Sequence, residues 1–278
     1  MRIKKGVGYF LSRAILVGLV IMTFFPFVMM INMSLKKNVA IRLNFLGWPK
    51  PSEIYWKNFT SAWNFVKHPI WNSLFVCFTS LIFILFMVSL AGYAFGRMKF
   101  RGKNLFFTFI LTVMMIPYTM LLVPNYTIIR NWGMLNTYWA LIIPYIQGQQ
   151  IFGIVLARTF YETLPMEMFE AAKIDGAGEF QIYTKIALPL SVPTLITVGV
   201  TSVTAMYNDY IWPALVLTKG DKIKTFCQIV FNNAAGNGTS DYGMVTAAFI
   251  IGTLPLLIIT LSCLKYYLQG MLEGAVKG

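Results

Sequence analysis

From Ala14 to Ser34 the chain carries no charged side chain, and the apolar run around this stretch covers about residues 9–33. Roughly 20 apolar residues, rising about 1.5 Å each in a helix, cross the hydrocarbon of a bilayer. Comparable runs cover about 71–95, 105–124, 138–158, 190–217 and 243–264. In hydrocarbon no water pairs with backbone N–H and C=O groups, so such runs must be helical. The expectation is an all-α, polytopic membrane protein with six transmembrane helices in one domain over 1–278. Composition agrees: 12% of residues are charged, against roughly 25% in soluble domains.

The net charge is +13. On a membrane protein this reads as charge facing the lipids of the cytoplasmic leaflet. The basic residues are scattered over many loops, so nucleic-acid binding is not expected. Two basic clusters set the orientation, Arg2, Lys4, Lys5 and Arg13 at the start and Arg97, Lys99, Arg101 and Lys103 between the second and third runs. They place both termini and the 159–188 segment in the cytoplasm, and the 34–68, 125–136 and 218–241 loops outside. No small-residue cleavage site follows the first run, which reads as an uncleaved span. Pro26 is expected to kink span 1, and Pro117 falls inside span 3 with Pro124 at its end. Pro144 and Gln147-Gly148-Gln149-Gln150 interrupt span 4. The 34–68 stretch, with Trp48 and Trp56, reads as a surface loop containing short helical pieces. Cys77, Cys227 and Cys263 have no close spacing, and Cys77 and Cys263 lie inside apolar runs, so neither a disulfide nor a metal site is expected.

Half of the ten acidic residues, Glu162, Glu167, Glu170, Asp175 and Glu179, fall in one polar stretch between spans 4 and 5. Leu164, Met168 and Ala172 recur at i, i+4 and i+8 beside Phe169, one apolar face at helical spacing. The helix should stop at Asp175-Gly176-Ala177-Gly178, where glycine permits positive φ. A second short helix can follow from Glu179, and Leu188-Pro189 and Val192-Pro193 mark the entry to span 5. Two short helices meeting at a bend would present carboxylates and small residues to a partner.

Glu170-Ala171-Ala172, Asp175-Gly176-Ala177, Ile186-Ala187-Leu188-Pro189 and Pro193 together resemble the EAA loop of ABC importer permeases. Asn72-Ser73, Ala91-Gly92-Tyr93-Ala94-Phe95 with Arg97 and Phe100, Asn208-Asp209 and the ending Gly270 to Gly278 are similar to the carbohydrate branch, the maltose-type and multiple-sugar permeases, in particular their G-type subunits. The resemblance implies the type I ABC importer permease architecture in a prokaryotic cytoplasmic (inner or plasma) membrane. It implies that 162–188 is a coupling segment seated in a cytoplasmic ATPase through Glu170, Ala171, Ala172, Asp175, Gly176, Ala177, Leu188 and Pro189. It further implies a second, F-type permease as heterodimer partner, two ATP-binding subunits, and an extracellular or periplasmic solute-binding protein docking on the 34–68 and 218–241 loops. The tail Ala275, Val276, Lys277 and Gly278 would make a second ATPase contact. The chain has no G-x-x-x-x-G-K-[ST] loop, so ATP belongs to the partner and this chain needs no cofactor. Gly178-Glu179 departs from the usual family pattern.

Asp209 is the only acidic residue inside an apolar run. A charge there costs about 2.5–3.5 kcal/mol on insertion scales and should face protein or a wet cavity. Two roles stand open for it: lining the solute path together with Tyr207, Asn208 and Trp212, or a structural hydrogen bond to a neighbouring helix. Tyr145, Gln147, Gln149 and Gln150 are candidates to bond sugar hydroxyls or to join helices, with Tyr118 and Asn125 as further candidates. His68 has no visible relay partner and reads as a surface residue. A permease of the same architecture for a polyol, a glycerol phosphate or a peptide is the alternative; no Lys or Arg lies well inside a span, which favours a neutral solute. A membrane-embedded enzyme would need paired catalytic groups, and there is one His and no H-E-x-x-H. A secondary transporter would call for an internal repeat, and none is evident.

Overall fold

The computed structural model describes residues 7–220, 222–234 and 241–275. The helices are α1 (Val7–Ser34), α2 (Asn38–Leu43), α3 (Lys57–Arg97), α4 (Lys103–Met114), α5 (Tyr118–Asn131), α6 (Trp139–Thr163), α7 (Met166–Ile174), α8 (Glu179–Ile182), α9 (Leu188–Leu190), α10 (Val192–Asn208), α11 (Ile211–Val216), α12 (Phe226–Ala234) and α13 (Tyr242–Ala275). A π-helical turn, Tyr183–Ala187, joins α8 to α9. Helices α1, α3, α6 and α13 are each long and apolar enough to cross a membrane. The pair α4 and α5 and the stretch Glu179–Leu190 with α10 pass the same test only as broken spans, bent by 98° and 68°.

The chain divides into two compact units. The first comprises Met1–Lys67 and Val230–Thr253. Its α1 is apolar on every side, with Leu16, Met22 and Phe25 all exposed, as a helix surrounded by lipid requires. Polar links gather where α1 ends. Asn58 Nδ2 donates to the carbonyls of Ser34 and Lys36, both at 2.8 Å. Lys36 Nζ donates to the carbonyls of Asn44 at 2.9 Å and Phe45 at 3.3 Å. These bonds occupy carbonyls that a helix end and its loop would otherwise leave unpaired. Burial of Lys36 lowers its affinity for a proton.

The second unit comprises His68–Ile229 and Leu254–Gly278. Here α6 packs against α4, α10 and α11, and the approach of α3 to α6 is set by small residues. A Cβ on Gly92 would lie 2.5 Å from Ala157 Cβ, one on Gly96 2.7 Å from Tyr161 Cβ, and one on Gly153 2.6 Å from Val88 Cγ2. Positions 88, 92 and 96 therefore meet 153, 157 and 161 in step. The two helices run parallel with their i, i+4 ridges in register, the small-xxx-small contact that brings membrane helices together. Because α3 and α6 point the same way, α4 and α5 must return the chain across the membrane between them, and the bent pair serves as one span.

Several boundaries differ from the sequence expectation. Helix α3 starts at Lys57, inside the stretch read as a loop, because Asn58, Ala62, Val66 and Ile70 continue its buried stripe at four-residue spacing. Pro117 lies between two helices rather than inside one, its φ −57 and ψ 131 taking the chain out of α4; a proline also pushes its preceding residue away from the helical region. Residues 125–131 are helical, not loop. Helix α6 runs unbroken through Pro144 and Gln147–Gln150. Span 5 ends at Asn208, with a break at Asp209 before α11.

Substituting Gly92 by Leu should force α3 off α6 and cost about 1–3 kcal/mol, the usual range for overpacking. Gly18→Leu on α1, where no atom lies within 4 Å of an added Cβ, should cost nothing comparable. Thermal unfolding of the two variants in detergent, against the parent, checks this.

Candidate functional site

The polar segment after α6 folds as an elbow. Helix α7 starts behind Pro165 and ends at Asp175. Gly176 then takes φ +80, its N–H donating to Lys173 O at 3.0 Å and that of Ala177 to Ala172 O at 2.9 Å. This is the paired bonding of a Schellman turn, which a Cβ at Gly176 would strain. Gly178 N–H then donates to Gln181 Oε1 at 3.2 Å and opens α8.

One end of α3 holds the elbow. Ser89, Tyr93 and Arg97 share a face at i, i+4 spacing. The Arg97 guanidinium donates to Leu164 O between α6 and α7 and sits 4.6 Å from the centre of the Phe169 ring. Tyr93 OH donates to Glu179 Oε2 at 3.2 Å, and Glu179 Oε1 lies 2.6 Å from Lys173 Nζ. One carboxylate therefore ties α7 to α3 across the bend. Ser89 Oγ and Tyr183 OH are hydrogen-bonded at 2.8 Å, and Tyr161 OH donates to Ser191 Oγ at 2.9 Å. The hydrogen bond from Lys173 holds the Glu179 carboxyl below its ordinary range. The link is thus complete at neutral pH and is lost only as pH falls through that lowered value.

Opposite these anchors the elbow is bare. Glu170, Ala171, Asp175 and Gly176 are exposed, as are Ile174 at 86% and Phe180 at 73%. The expected inward face is narrower than the spacing suggested: Phe169 is buried, Ala172 and Leu164 are half-buried, and Met168 is exposed. Leu188 and Pro189 lie in α9, where the Ser191 hydroxyl donates back to Leu188 O at 2.8 Å. Tyr93, Arg97 and Glu179 were not singled out as site residues from sequence; the i, i+4 recurrence of polar groups at 89, 93 and 97, inside an otherwise apolar run, was the available signal. Of the tail, Ala275 closes α13, and Val276, Lys277 and Gly278 lie outside the described residues.

A cavity of about 430 Å³ lies where α5, α6 and α10 meet, with Tyr118, Tyr145, Gln149, Asn208 and Asp209 among its walls. A smaller one of about 130 Å³ shares Tyr118 and includes Gln147. No lysine or arginine lines either. Of the two roles open to Asp209, the structure shows the hydrogen bond to a neighbouring helix. It borders the cavity, yet its Oδ1 accepts from the N–H groups of Ile211 at 3.0 Å and Trp212 at 3.3 Å, and its Oδ2 from Tyr145 OH at 3.0 Å. It caps α11 and joins α10 to α6. Tyr207 and Trp212 are not at the cavity: they are 2% and 0% exposed, Tyr207 stacking on Phe226 at 5.7 Å and Trp212 Nε1 donating to Ala140 O at 2.9 Å. Gln150 lines neither cavity.

Long apolar helices, an exposed elbow tied to one of them, and a cavity bordered by a broken helix are the features that a comparison with known proteins has to match. Residues 88–272 match the family described as the binding-protein-dependent transport system inner membrane component, and the chain belongs to that family. It is 33% identical over 84% of its length, and 77% of the relative's, to the probable ABC transporter permease protein YurM of Bacillus subtilis (strain 168). It is 29% identical over 95% of its length, and 96% of the relative's, to the trehalose/maltose transport system permease protein MalG of Thermococcus litoralis. In fold it is similar, with a TM-score of 0.81 and 22% identity over 96% of this chain and 99% of the other, to a chain of a bacterial ABC transporter involved in the import of the acidic polysaccharide alginate. The protein is a membrane-embedded permease of an ABC importer, which works with an ATPase and a binding protein.

Removing the Asp209 side chain should unfasten α11. Asp209→Ala deletes a cap, at about 1 kcal/mol, and leaves the Tyr145 hydroxyl unpaired, at about 1–3 kcal/mol. Hydrogen exchange across 211–216 should quicken in Asp209→Ala and stay near the parent rate in Tyr145→Phe, which keeps the cap.

Proposed function

We propose that this chain is one of two different permeases that together enclose a path for a sugar or oligosaccharide, the other being an F-type subunit. In this reading α7 and the Gly176 bend seat in one of two ATP-binding subunits, both termini and the elbow face the cytoplasm, and this chain neither binds ATP nor catalyses. Closure of the ATPase pair on ATP draws the elbows together and turns the permeases outward to receive solute from the binding protein.

The observation that carries the reading is the bare face of the elbow. Glu170 stands exposed, Ile174 one turn on and Phe180 past the bend are open too, and Arg97, Tyr93 and Ser89 fix the elbow to α3. Exposed apolar groups around a carboxylate suit a cleft with an apolar floor and a basic rim. The absence of a cation from the cavity walls supports a neutral solute: phenol, amide and one carboxylate group stand there among Pro144, Ala205, Met206 and Ile211, and MalG of Thermococcus litoralis is named for trehalose and maltose. A glycerol phosphate would call for a cationic wall. Gln149, Asn208 and Tyr118 are the groups proposed to meet the solute, with Gln147 beyond them; Asp209 holds the wall in place. A tail contact with the ATPase through residues 275–278 is part of the proposal.

Glu170→Lys tests it. The variant should remain in the membrane, lose co-purification with the ATPase, and lose solute uptake in cells that depend on this importer. Wild-type uptake by Glu170→Lys would overturn the coupling role.

A further inference from the structure

Two routes lead from α7 into the membrane. The covalent one, toward α10, is interrupted repeatedly: Gly176 at φ +80, the single turn of α8, the π-helical turn Tyr183–Ala187 and the 68° bend before α10. Each interruption can absorb a displacement by small changes of φ and ψ, and π-turns mark such places. The lateral route is short. Lys173 of α7 meets Glu179 at 2.6 Å, and Glu179 meets Tyr93 of α3 at 3.2 Å.

From Tyr93 back to Asn72, α3 contains no proline and covers about 32 Å, close to the roughly 30 Å of bilayer hydrocarbon. Within this length it lies against α6 at the close contacts of Val88 and Gly92, continued just beyond it at Gly96. At the far end Asn72 grips the next loop by its backbone. Its Nδ2 donates to Lys222 O at 2.9 Å and Lys224 O at 3.0 Å, and its Oδ1 accepts from Tyr138 OH at 2.8 Å. The neighbouring Ser73 Oγ accepts from Phe226 N–H at 2.9 Å. Each end of one unbroken rod is thus tied to a different loop by side chains.

We infer that α3 carries a displacement of α7 to the 222–226 loop at its far end, and that Arg97 with Glu179, the latter through Tyr93, and Asn72 with Ser73 are the positioning residues that fasten the two ends. The inference rests on the proposed seating of α7 in an ATPase. It assigns a role to Asn72 and to Glu179, the position where the chain departs from the family pattern, and it makes α3 the principal lever, ahead of the covalent path into α10. Coupling of this kind is reciprocal, so whatever binds the 222–226 loop acts back on α7 through the same rod.

The test uses the assembled importer in lipid nanodiscs, with ATP and vanadate as the only probe and hydrogen exchange as the readout. In the parent, ATP-vanadate should change exchange at both α7 and 222–226. In Tyr93→Phe/Arg97→Leu, which frees one end of α3, and in Asn72→Leu/Ser73→Ala, which frees the other, the change at α7 should remain and that at 222–226 should be lost. Combining the two pairs of substitutions should be no worse than either pair, because one rod cut at two ends is cut once; independent structural roles would add. A wild-type response at 222–226 in the variants, or additive losses, overturns the inference, as does a loss that appears only when the ATPase has dissociated. Absence of any ATP-dependent change at α7 in the parent would instead overturn the seating of α7 itself.

Discussion

The contact of α3 with α6 depends on the missing side chains of Gly92, Gly96 and Gly153. Lipid tails are as apolar as leucine, so helices in hydrocarbon gain little by burying apolar surface against one another. Association comes from close packing, and close packing needs small residues in register. Here the register does more than hold two helices. It directs Ser89, Tyr93 and Arg97 onto the elbow after α6, and it places Gly153 where a Cβ would meet Val198 of α10 at 2.9 Å. One interface thus sets the positions of the elbow, of α10 and of the cavity beside it.

Polar side chains in this unit act as links between elements. Tyr145 joins α6 to the Asp209 break, Tyr161 joins α6 to Ser191 before α10, and Tyr183 joins the π-turn to α3. Tyrosine suits the role because its ring packs while its hydroxyl reaches a partner. Such bonds average about 0.6 kcal/mol in membrane bundles, too weak to carry the fold alone, but each fixes the place of a segment whose backbone is irregular.

Helices that cross the membrane whole were legible from apolar length: α1, α6 and α13 lie where hydropathy puts them, and the elbow with its stop at Gly176 follows from helix spacing and glycine. The far part of α3 was not, because Lys57, Asn58, Lys67 and His68 depress hydropathy while the buried stripe at 58, 62, 66 and 70 keeps its period. The bends at Pro117 and Asp209 were missed for another reason. A hydropathy window averages across a break, and proline in a membrane helix need not end it: Pro144 sits in an unbroken α6 and Pro117 outside any helix. At the cavity, Asp209, Asn208, Gln149 and Tyr118 were named from their polarity alone. Tyr207 and Trp212 were named with them by proximity in sequence, yet three-dimensional direction turns them into the core.

Asp209 shows why a charge and a break occur together. Interrupting a helix in hydrocarbon leaves N–H groups at the start of the next helix without partners, and each costs several kcal/mol if no acceptor is supplied. A carboxylate can serve two such donors on one oxygen and keep the other for a hydroxyl, which is the arrangement at Ile211, Trp212 and Tyr145. The cost of the charge and the cost of the break are therefore offset by the same bonds. The outcome is irregular backbone held in one place at the edge of a cavity, where a continuous helix would present a closed ridge. A residue that satisfies the break lets the chain have one without loosening the helices on either side.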